Sequence, residues 1–229
     1  MFFYPLSSII RGSNVIQFPD FFTQNSDPKL NFTETKLIKE ILIAAKGRPI
    51  VCLTGYLCWT KGIVEFTFLI KSISMKNIFF VICGSVDWGG ETKVKNKKNL
   101  VETWESSENC FSYLKVISDL STNLIIKNST VVFAAYRDFP HSSNILTKSA
   151  FLNIPIIVSD GHLMAERVKE YHLGEVVSEG NVFQMIKTLQ YMVSIEYKSN
   201  SNNSLSKKYK LFHSVDRLPD CFKRLLLLN

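Results

Sequence analysis

The residues best suited to chemistry form a polar cluster, His141 to Asn144, between an apolar run and a helical segment. The apolar run covers 131–135, and the helical segment covers 144–152. Side chains of these types cap helices, and the first N–H groups of a helix bind anions. The pattern predicts an anion site at a helix start, with a purely capping role as the alternative.

The elements that position this cluster alternate between apolar runs and helical segments. Strands are expected at 49–53, 78–83, 111–117, 131–135, 156–158 and 175–177. Helices are expected at 33–46, 63–72, 120–127, 144–152, 164–171, 182–193 and 216–227. Continuous apolar strands separated by helices indicate a parallel sheet covered on both faces. In such a sheet, ligands bind beyond the carboxyl ends of the strands, where the polar cluster falls.

The chain divides into three segments by composition. Residues 1–30 are expected to be a linker that enters the domain, and 31–198 form the α/β domain itself. Residues 199–229 begin with a Ser/Asn-rich linker and end in a helix that docks back on the domain. The polar stretch 87–108 carries no clear pattern, and its two tryptophans fit either the core or a loop.

Composition indicates one cytoplasmic globular domain without a signal peptide or membrane span. The chain has 229 residues, of which 46% are hydrophobic and 21% charged, values that are ordinary for a globular protein. Its five cysteines include no C-x-x-C pair, so they are expected to be reduced thiols. The net charge of +7 is concentrated in lysines at 93–98 and 207–210. These lysines fit solvated loops or peripheral contact with the inner face of a membrane, and no nucleic-acid module is present.

Metal and cofactor chemistry is not expected. His162, His172 and His213 have no acidic partner at metal-ligand spacing. P-loop and dinucleotide-binding glycine motifs are absent from the sequence. A response-regulator-like domain is the nearest non-enzyme alternative on topology, but the first expected strand, 49–53, and Gly55 after it bring no acidic group to hold magnesium.

Several segments resemble the nucleotide-sugar-binding, C-terminal half of GT-B glycosyltransferases, specifically the retaining family 4, or glycosyl transferases group 1. Leu53 to Gly62 looks like the exit of that family's first strand, and Phe80 to Gly84 like the exit of its second. His141 to Ala150 aligns with the family helix that carries two glutamates. Asn153 to Ser159 and Leu173 to Val177 resemble the strand and turn that follow. The resemblance implies a Rossmann-like fold of the GT-B C-terminal type.

The resemblance also implies a set of site residues. The nucleotide sugar is expected to contact Gly55, Tyr56, Lys61, Gly84, Ser142, Ser143, Asn144, Ser149 and Glu166, with His141 as the catalytic candidate. From the residues alone, Glu166 fits a helix surface equally well. No metal or cofactor is implied.

Three positions depart from the family motif. Tyr56 stands where the family has a diphosphate-binding arginine, whereas Lys61 keeps the companion lysine. His141 and Ser149 replace the two glutamates, so the double-glutamate motif is degenerate. A carboxylate accepts two ribose hydroxyls together, whereas a serine makes one weaker contact.

The resemblance covers only the donor-binding half of a GT-B enzyme. It implies binding of a nucleotide diphosphate sugar, and hexosyl transfer only with an acceptor-binding half on another chain, so the isolated chain is expected to be inactive. The chain then is a split subunit, a truncated product or a degenerate homologue. The alternative function is that of a non-catalytic binding or regulatory protein.

Overall fold

The computed structural model describes residues 18–22, 32–88, 96–200 and 203–226. The strands are β1 Ile50–Thr54, β2 Phe79–Cys83, β3 Cys110–Tyr113, β4 Val131–Ala134, β5 Ile156–Ser159 and β6 Gly174–Val177. The helices are α1 Phe32–Ala45, α2 Ile63–Lys71, α3 Lys97–Ser106, α4 Asp119–Lys127, α5 Asn144–Leu152, α6 Leu163–Tyr171, α7 Val182–Met192, α8 Ile195–Asn200, α9 Asn203–Phe212 and α10 Leu218–Leu226. Short 3-10 helices lie at Trp59–Lys61, Ile73–Met75 and Val215–Arg217.

The six strands form one parallel sheet in the order β3-β2-β1-β4-β5-β6. Strand order reverses between β1 and β4, so the chain winds to one side of β1 and then to the other. This is the Rossmann-like, doubly wound arrangement that the apolar runs predict. A crevice opens at such a reversal, beyond the carboxyl ends of the strands.

Both faces of the sheet are buried, which explains why its strands are continuously apolar. In β2, Val81 belongs to one core cluster, and its neighbours Phe80 and Ile82 belong to the other. The first cluster includes side chains of α1, α4, α5, α6 and α9. The second includes side chains of α2, α3 and α7.

Three regions differ from the sequence-based expectations. The polar stretch 87–108 contains α3, which is anchored by Trp104, a fully buried side chain whose Nε1 donates to Thr67 Oγ1 at 2.7 Å.

The predicted Ser/Asn-rich linker instead holds the end of α8 and the start of α9. The buried Tyr209 on α9 packs edge-on against Tyr171 of α6, and its hydroxyl is hydrogen-bonded to that of Thr147 of α5 at 2.9 Å. This tertiary packing outweighs the low helix propensity of the Ser/Asn run. The strand β3 also ends at Tyr113 rather than at the predicted 117.

A group of contacts, called here the strap, ties residues 18–22 to the C-terminal part of the chain. Asp20 Oδ2 accepts hydrogen bonds from Arg167 Nη1 at 2.6 Å and Ser142 Oγ at 2.7 Å. The Asp20 N–H donates to His213 Nδ1 at 2.9 Å. Burial works to raise the pKa of Asp20, but the hydrogen bonds from Arg167 and Ser142 outweigh it and hold that pKa below its usual value. Burial, reinforced by the Arg167 charge, lowers the pKa of His213 to about 4.

Helix α10 packs through Phe222, whose ring lies 5.3 Å from that of Phe18, and through the buried Cys221. Cys52, Cys58, Cys83 and Cys110 are free thiols. Burial raises the pKa values of Cys52 and Cys110 to about 12, so these thiols are protonated at neutral pH.

None of the helices in the described part of the chain has the length and apolar character needed to cross a membrane.

Candidate functional site

A cavity of about 290 Å³ opens at the carboxyl edge of the sheet, where the strand order reverses. Its walls come from the ends of β1, β2 and β3 and from the starts of α4 and α5. It is lined by Thr54, Gly55, Tyr56, Lys61, Ser85, Val116, Ile117, Asp119, Thr122, Ser143, Asn144, Ile145 and Lys148. The structure therefore brings Gly55, Tyr56, Lys61, Ser143 and Asn144 together, as expected from the sequence.

The floor of the cavity depends on close backbone packing between two strand exits. The Gly55 N–H donates to the Cys83 carbonyl at 3.0 Å, and a Cβ at Gly84 would lie 1.7 Å from the Gly55 carbonyl oxygen. Glycine is therefore required at position 84. The residue shapes the floor from beneath and does not line the cavity.

Thr54 supplies a polar group in the cavity wall at the end of β1. Its side chain is 5% exposed, and its hydroxyl oxygen has no hydrogen-bond partner among the described residues. A buried hydroxyl without a partner costs free energy, so most are satisfied by protein, water or ligand. The Thr54 hydroxyl oxygen is itself covered, so Thr54 brings an unsatisfied polar group to the wall just beneath the cavity surface.

Lys61 is held at the cavity by the 3-10 helix Trp59–Lys61 and by the turn that follows. Gly62 ends that helix with φ +72°, and a Cβ there would lie 2.6 Å from the Ala135 carbonyl oxygen. The Lys61 ammonium lies 3.9 Å from the Tyr136 ring centroid and 4.4 Å from that of Phe139, a cation–π arrangement. Burial lowers the pKa of Lys61 to about 8, so the side chain is mostly charged at neutral pH.

The start of α5 forms the opposite wall. Ser143 occupies the N-cap position, but no side chain caps the helix, contrary to the capping role expected for the polar cluster. Ser143 is buried, and Asn144 is the exposed first residue of the helix. The first N–H groups of a helix lack intrahelical partners and carry partial positive charge. The Arg137 N–H donates to the Thr60 carbonyl at 2.8 Å, which ties this wall to the Lys61 loop.

Two charged cavity residues were not anticipated from the sequence. Lys148 of α5 is 7% exposed, and its Nζ lies 2.6 Å from Oδ1 of Asp119, the first residue of α4. Lys148 stands in a run of otherwise uncharged residues, 144 to 152, which was a usable signal: a lone charge on a buried helix requires a partner. Its partner Asp119 lies 29 positions away and is set by the fold.

The remaining predicted residues do not line this cavity. Ser149 is fully buried, and its hydroxyl donates to the Ile154 carbonyl. His141 is exposed and packs edge-on against Phe139, and Glu166 is exposed on α6. Ser142 belongs to the strap and lines a neighbouring cavity of about 270 Å³, which shares Asn144 with the first.

Tyr56 lies at the rim of the cavity. Its side chain is exposed, and its hydroxyl donates to Asp87, which raises the tyrosine pKa. Tyr56 adds no positive charge to the site. The cations that line the cavity are Lys61 and Lys148.

The chemistry of the lining suits an anion with attached hydroxyl groups. Two lysines and a helix start attract negative charge, while Asp119 offers oxygen atoms for hydrogen bonds. In the described ranges, no group of three or more His, Cys, Asp or Glu side chains is arranged to hold a metal ion.

Residues 34–211 match the family model described as Glycosyl transferases group 1. No curated protein matches the chain. Among solved structures, the Anabaena protein Alr3699/HepE in complex with UDP and glucose is similar, with TM-score 0.64 and 12% identity over 92% of this chain and 54% of that one. A trehalose-phosphate synthase (UDP-forming) from Burkholderia xenovorans has TM-score 0.64 and 11% identity over 82% and 46%. WaaG, a glycosyltransferase of lipopolysaccharide biosynthesis, has TM-score 0.61 and 12% identity over 88% and 53%.

At these identities the structural likeness shows the fold. The chain spans about half the length of the solved structures that it matches.

Proposed function

The chain belongs to the glycosyl transferases group 1 family, and we propose that its cavity binds a nucleotide sugar through the diphosphate. Lys61 and the N–H groups at the start of α5 hold the phosphate oxygens. The observation that carries the proposal is the convergence of Lys61 and the α5 start on one cavity. The UDP bound to the similar Anabaena protein supports the same class of ligand.

The same groups explain what the domain contributes to glycosyl transfer. When the bond between sugar and diphosphate breaks, negative charge develops on the departing diphosphate oxygen. A fixed ammonium and oriented backbone N–H groups stabilise such charge most effectively in a partly enclosed site. Lys61 and the α5 start therefore bind the donor and assist departure of its leaving group.

Transfer also requires a second unit that binds the acceptor. The described residues form one sheet with one helix layer on each face, and the structures they resemble are about twice as long. Positioning donor and acceptor together contributes up to about 7 to 11 kcal/mol to lowering a barrier. We therefore expect transfer only when an acceptor-binding half, supplied by another polypeptide, completes the cleft.

A non-catalytic binding role is the second candidate. The observation that favours it is that neither His141 nor Ser149, the residues at the two motif positions, lines the cavity. In that case the domain binds the nucleotide and signals or scaffolds without turnover.

Calorimetry with UDP, ADP and GDP on the wild type and Lys61→Met tests the binding proposal. Loss of a charged hydrogen bond reduces affinity by about ten- to a hundredfold. Wild-type affinity is also expected to fall above about pH 8, where Lys61 loses its proton, and Lys61→Met is expected to lack this fall. A matched control is Lys187→Met, because the Lys187 ammonium also lies over a ring, 4.4 Å from the Phe183 centroid, outside the cavity.

Failure of the wild type to bind any of the three diphosphates would contradict the proposal, as would equal affinities in wild type and Lys61→Met. The acceptor requirement is tested separately by following sugar transfer to membrane lipid or glycan. Robust transfer by the purified chain alone would show that no second unit is needed.

A further inference from the structure

The pair formed by Asp119 and Lys148 has no role in the binding scheme above, although both side chains line the cavity. Lys148 is 7% exposed, whereas Asp119 is 60% exposed. The lysine is thus enclosed by protein, whereas the Asp119 side chain is largely open to solvent and lines the cavity. An ionised carboxylate offers about four lone-pair sites, of which the Lys148 ammonium takes one.

The position of Asp119 favours an oriented carboxylate. It is the first residue of α4, after a Ser118 N-cap that accepts a hydrogen bond from the Ser121 N–H. Negative charge at a helix start is stabilised by the helix dipole. The Lys148 ammonium, 2.6 Å from Oδ1, fixes the direction of the side chain.

We propose that Asp119 binds the ribose hydroxyls of the nucleotide, with Lys148 as the residue that positions it. The inference rests on the proposed nucleotide binding. A carboxylate is the side chain that accepts two neighbouring hydroxyls together, and carboxylates do this for ribose in other doubly wound folds. With the diphosphate at Lys61 and the α5 start, the ribose lies within the same cavity, on the α4 side.

Ser149 does not provide this contact. It is fully buried, and its hydroxyl is already committed to the Ile154 carbonyl. Helix α5, which carries Ser149, instead contributes Lys148 one residue earlier. The Lys148 ammonium holds the Asp119 carboxylate of the neighbouring helix α4.

The alternative is that Asp119 only neutralises Lys148. The two roles separate in a comparison of UDP with 2′,3′-dideoxyuridine diphosphate, which lacks both ribose hydroxyls. If Asp119 binds them, the wild type prefers UDP by about ten- to a hundredfold, the loss expected for hydrogen bonds to a charged group. Asp119→Ala is expected to bring the two affinities within about threefold of each other and to retain affinity for the dideoxy nucleotide.

Asp119→Asn keeps the size of the side chain and one acceptor oxygen, so it tests the idea if the alanine variant does not fold. It is expected to show an intermediate preference. Glu102→Gln is the matched control, because Glu102 is 59% exposed and pairs with Lys98 at 3.7 Å without lining the cavity. That variant is expected to keep the wild-type preference for UDP.

The possible failures are distinguishable. If neither nucleotide binds the wild type, the proposed function fails and this inference falls with it. If both bind equally well, nucleotide binding stands and the ribose role of Asp119 is wrong. The inference is also overturned if Asp119→Ala keeps the preference for UDP, or if Ser149→Ala removes it.

Discussion

Two ion pairs lie beside helix α5, and they differ in what surrounds the carboxylate. Asp119 meets the buried Lys148 at 2.6 Å and faces a cavity. Asp20 meets Arg167, also at 2.6 Å, but its second and third partners are Ser142 and His213 from the protein itself. The same kind of ion pair is therefore enclosed by protein groups in the strap, whereas in the cavity its carboxylate remains accessible to a ligand.

The strap pair and the cavity pair also differ in how many partners the protein supplies to the aspartate. In the strap, each polar group is met by another part of the chain, so removing one costs the others a hydrogen-bond partner inside the protein. In the cavity pair, the carboxylate is largely exposed, so it returns to water when its lysine is removed. We expect strap substitutions to change stability and cavity substitutions to change binding.

The largest expected effect is acid sensitivity of the strap through His213. Its pKa of about 4 in the folded protein lies below its usual 6.5, so the unfolded chain binds a proton that the folded protein does not. Through His213, the free energy of unfolding is therefore expected to fall by up to about 3 kcal/mol as pH drops from 6.5 to 4, and the lowered pKa of Asp20 extends the loss to lower pH. Urea unfolding at a series of pH values measures this.

His213→Gln separates this effect from other groups. Glutamine accepts a hydrogen bond from the Asp20 N–H but does not titrate, so the variant is expected to show a flatter profile between pH 6.5 and 4. Identical slopes in wild type and variant would exclude His213 as the source of the acid sensitivity.

The second effect in size is the loss of stability in Arg167→Met. Asp20 would lose its buried cationic partner, and we expect the free energy of unfolding to decrease by about 2 kcal/mol. Affinity for a nucleoside diphosphate is expected to be unchanged in the folded variant. Lys169→Met is the control, because its pair with Asp160 is more than half exposed on both sides and is expected to matter by less than about 0.5 kcal/mol.

The smallest stability effect and a distinct binding effect are expected for Lys148→Met. Methionine fills a similar volume, and the exposed Asp119 is resolvated, so we expect a stability change below about 1 kcal/mol. The diphosphate affinity is expected to fall about tenfold as one cation leaves the cavity. Denaturation and calorimetry on one preparation measure both. A destabilisation equal to that of Arg167→Met, with unchanged affinity, would make the cavity pair a second structural pair.

The sheet was predictable from sequence because burial on both faces makes its strands continuously apolar. The run 78–83 and the strand β2 coincide almost residue by residue. Helix α3 was not predictable, because only Thr103 and Trp104 of that helix are buried, and of the other residues only Leu100 and Val101 are apolar. The Ser/Asn run before α9 indicated a linker because composition reports local preference, whereas Tyr209 fixes the helix through distant partners.

The candidate site was predictable where it follows strand ends and not where it depends on pairing between elements. Gly55 and Lys61 lie just after β1, so their place at the sheet edge follows from topology. The partners in Asp119–Lys148 and Asp20–Arg167 come from separate elements, 29 and 147 positions apart. Ser149 was expected to face the ligand, but it does not line the cavity, because it is buried and its hydroxyl donates to the Ile154 carbonyl.

The strap has a consequence for the kinetics of the domain. The contact between Asp20 and His213 joins positions 193 residues apart. Contacts of such sequence separation carry a large loop-closure cost and tend to form after the folding transition state. Weakening them therefore accelerates unfolding more than it slows folding. In denaturant-jump experiments, Arg167→Met is therefore expected to change mainly the unfolding rate. The strap thus governs how long the native domain persists once it is formed.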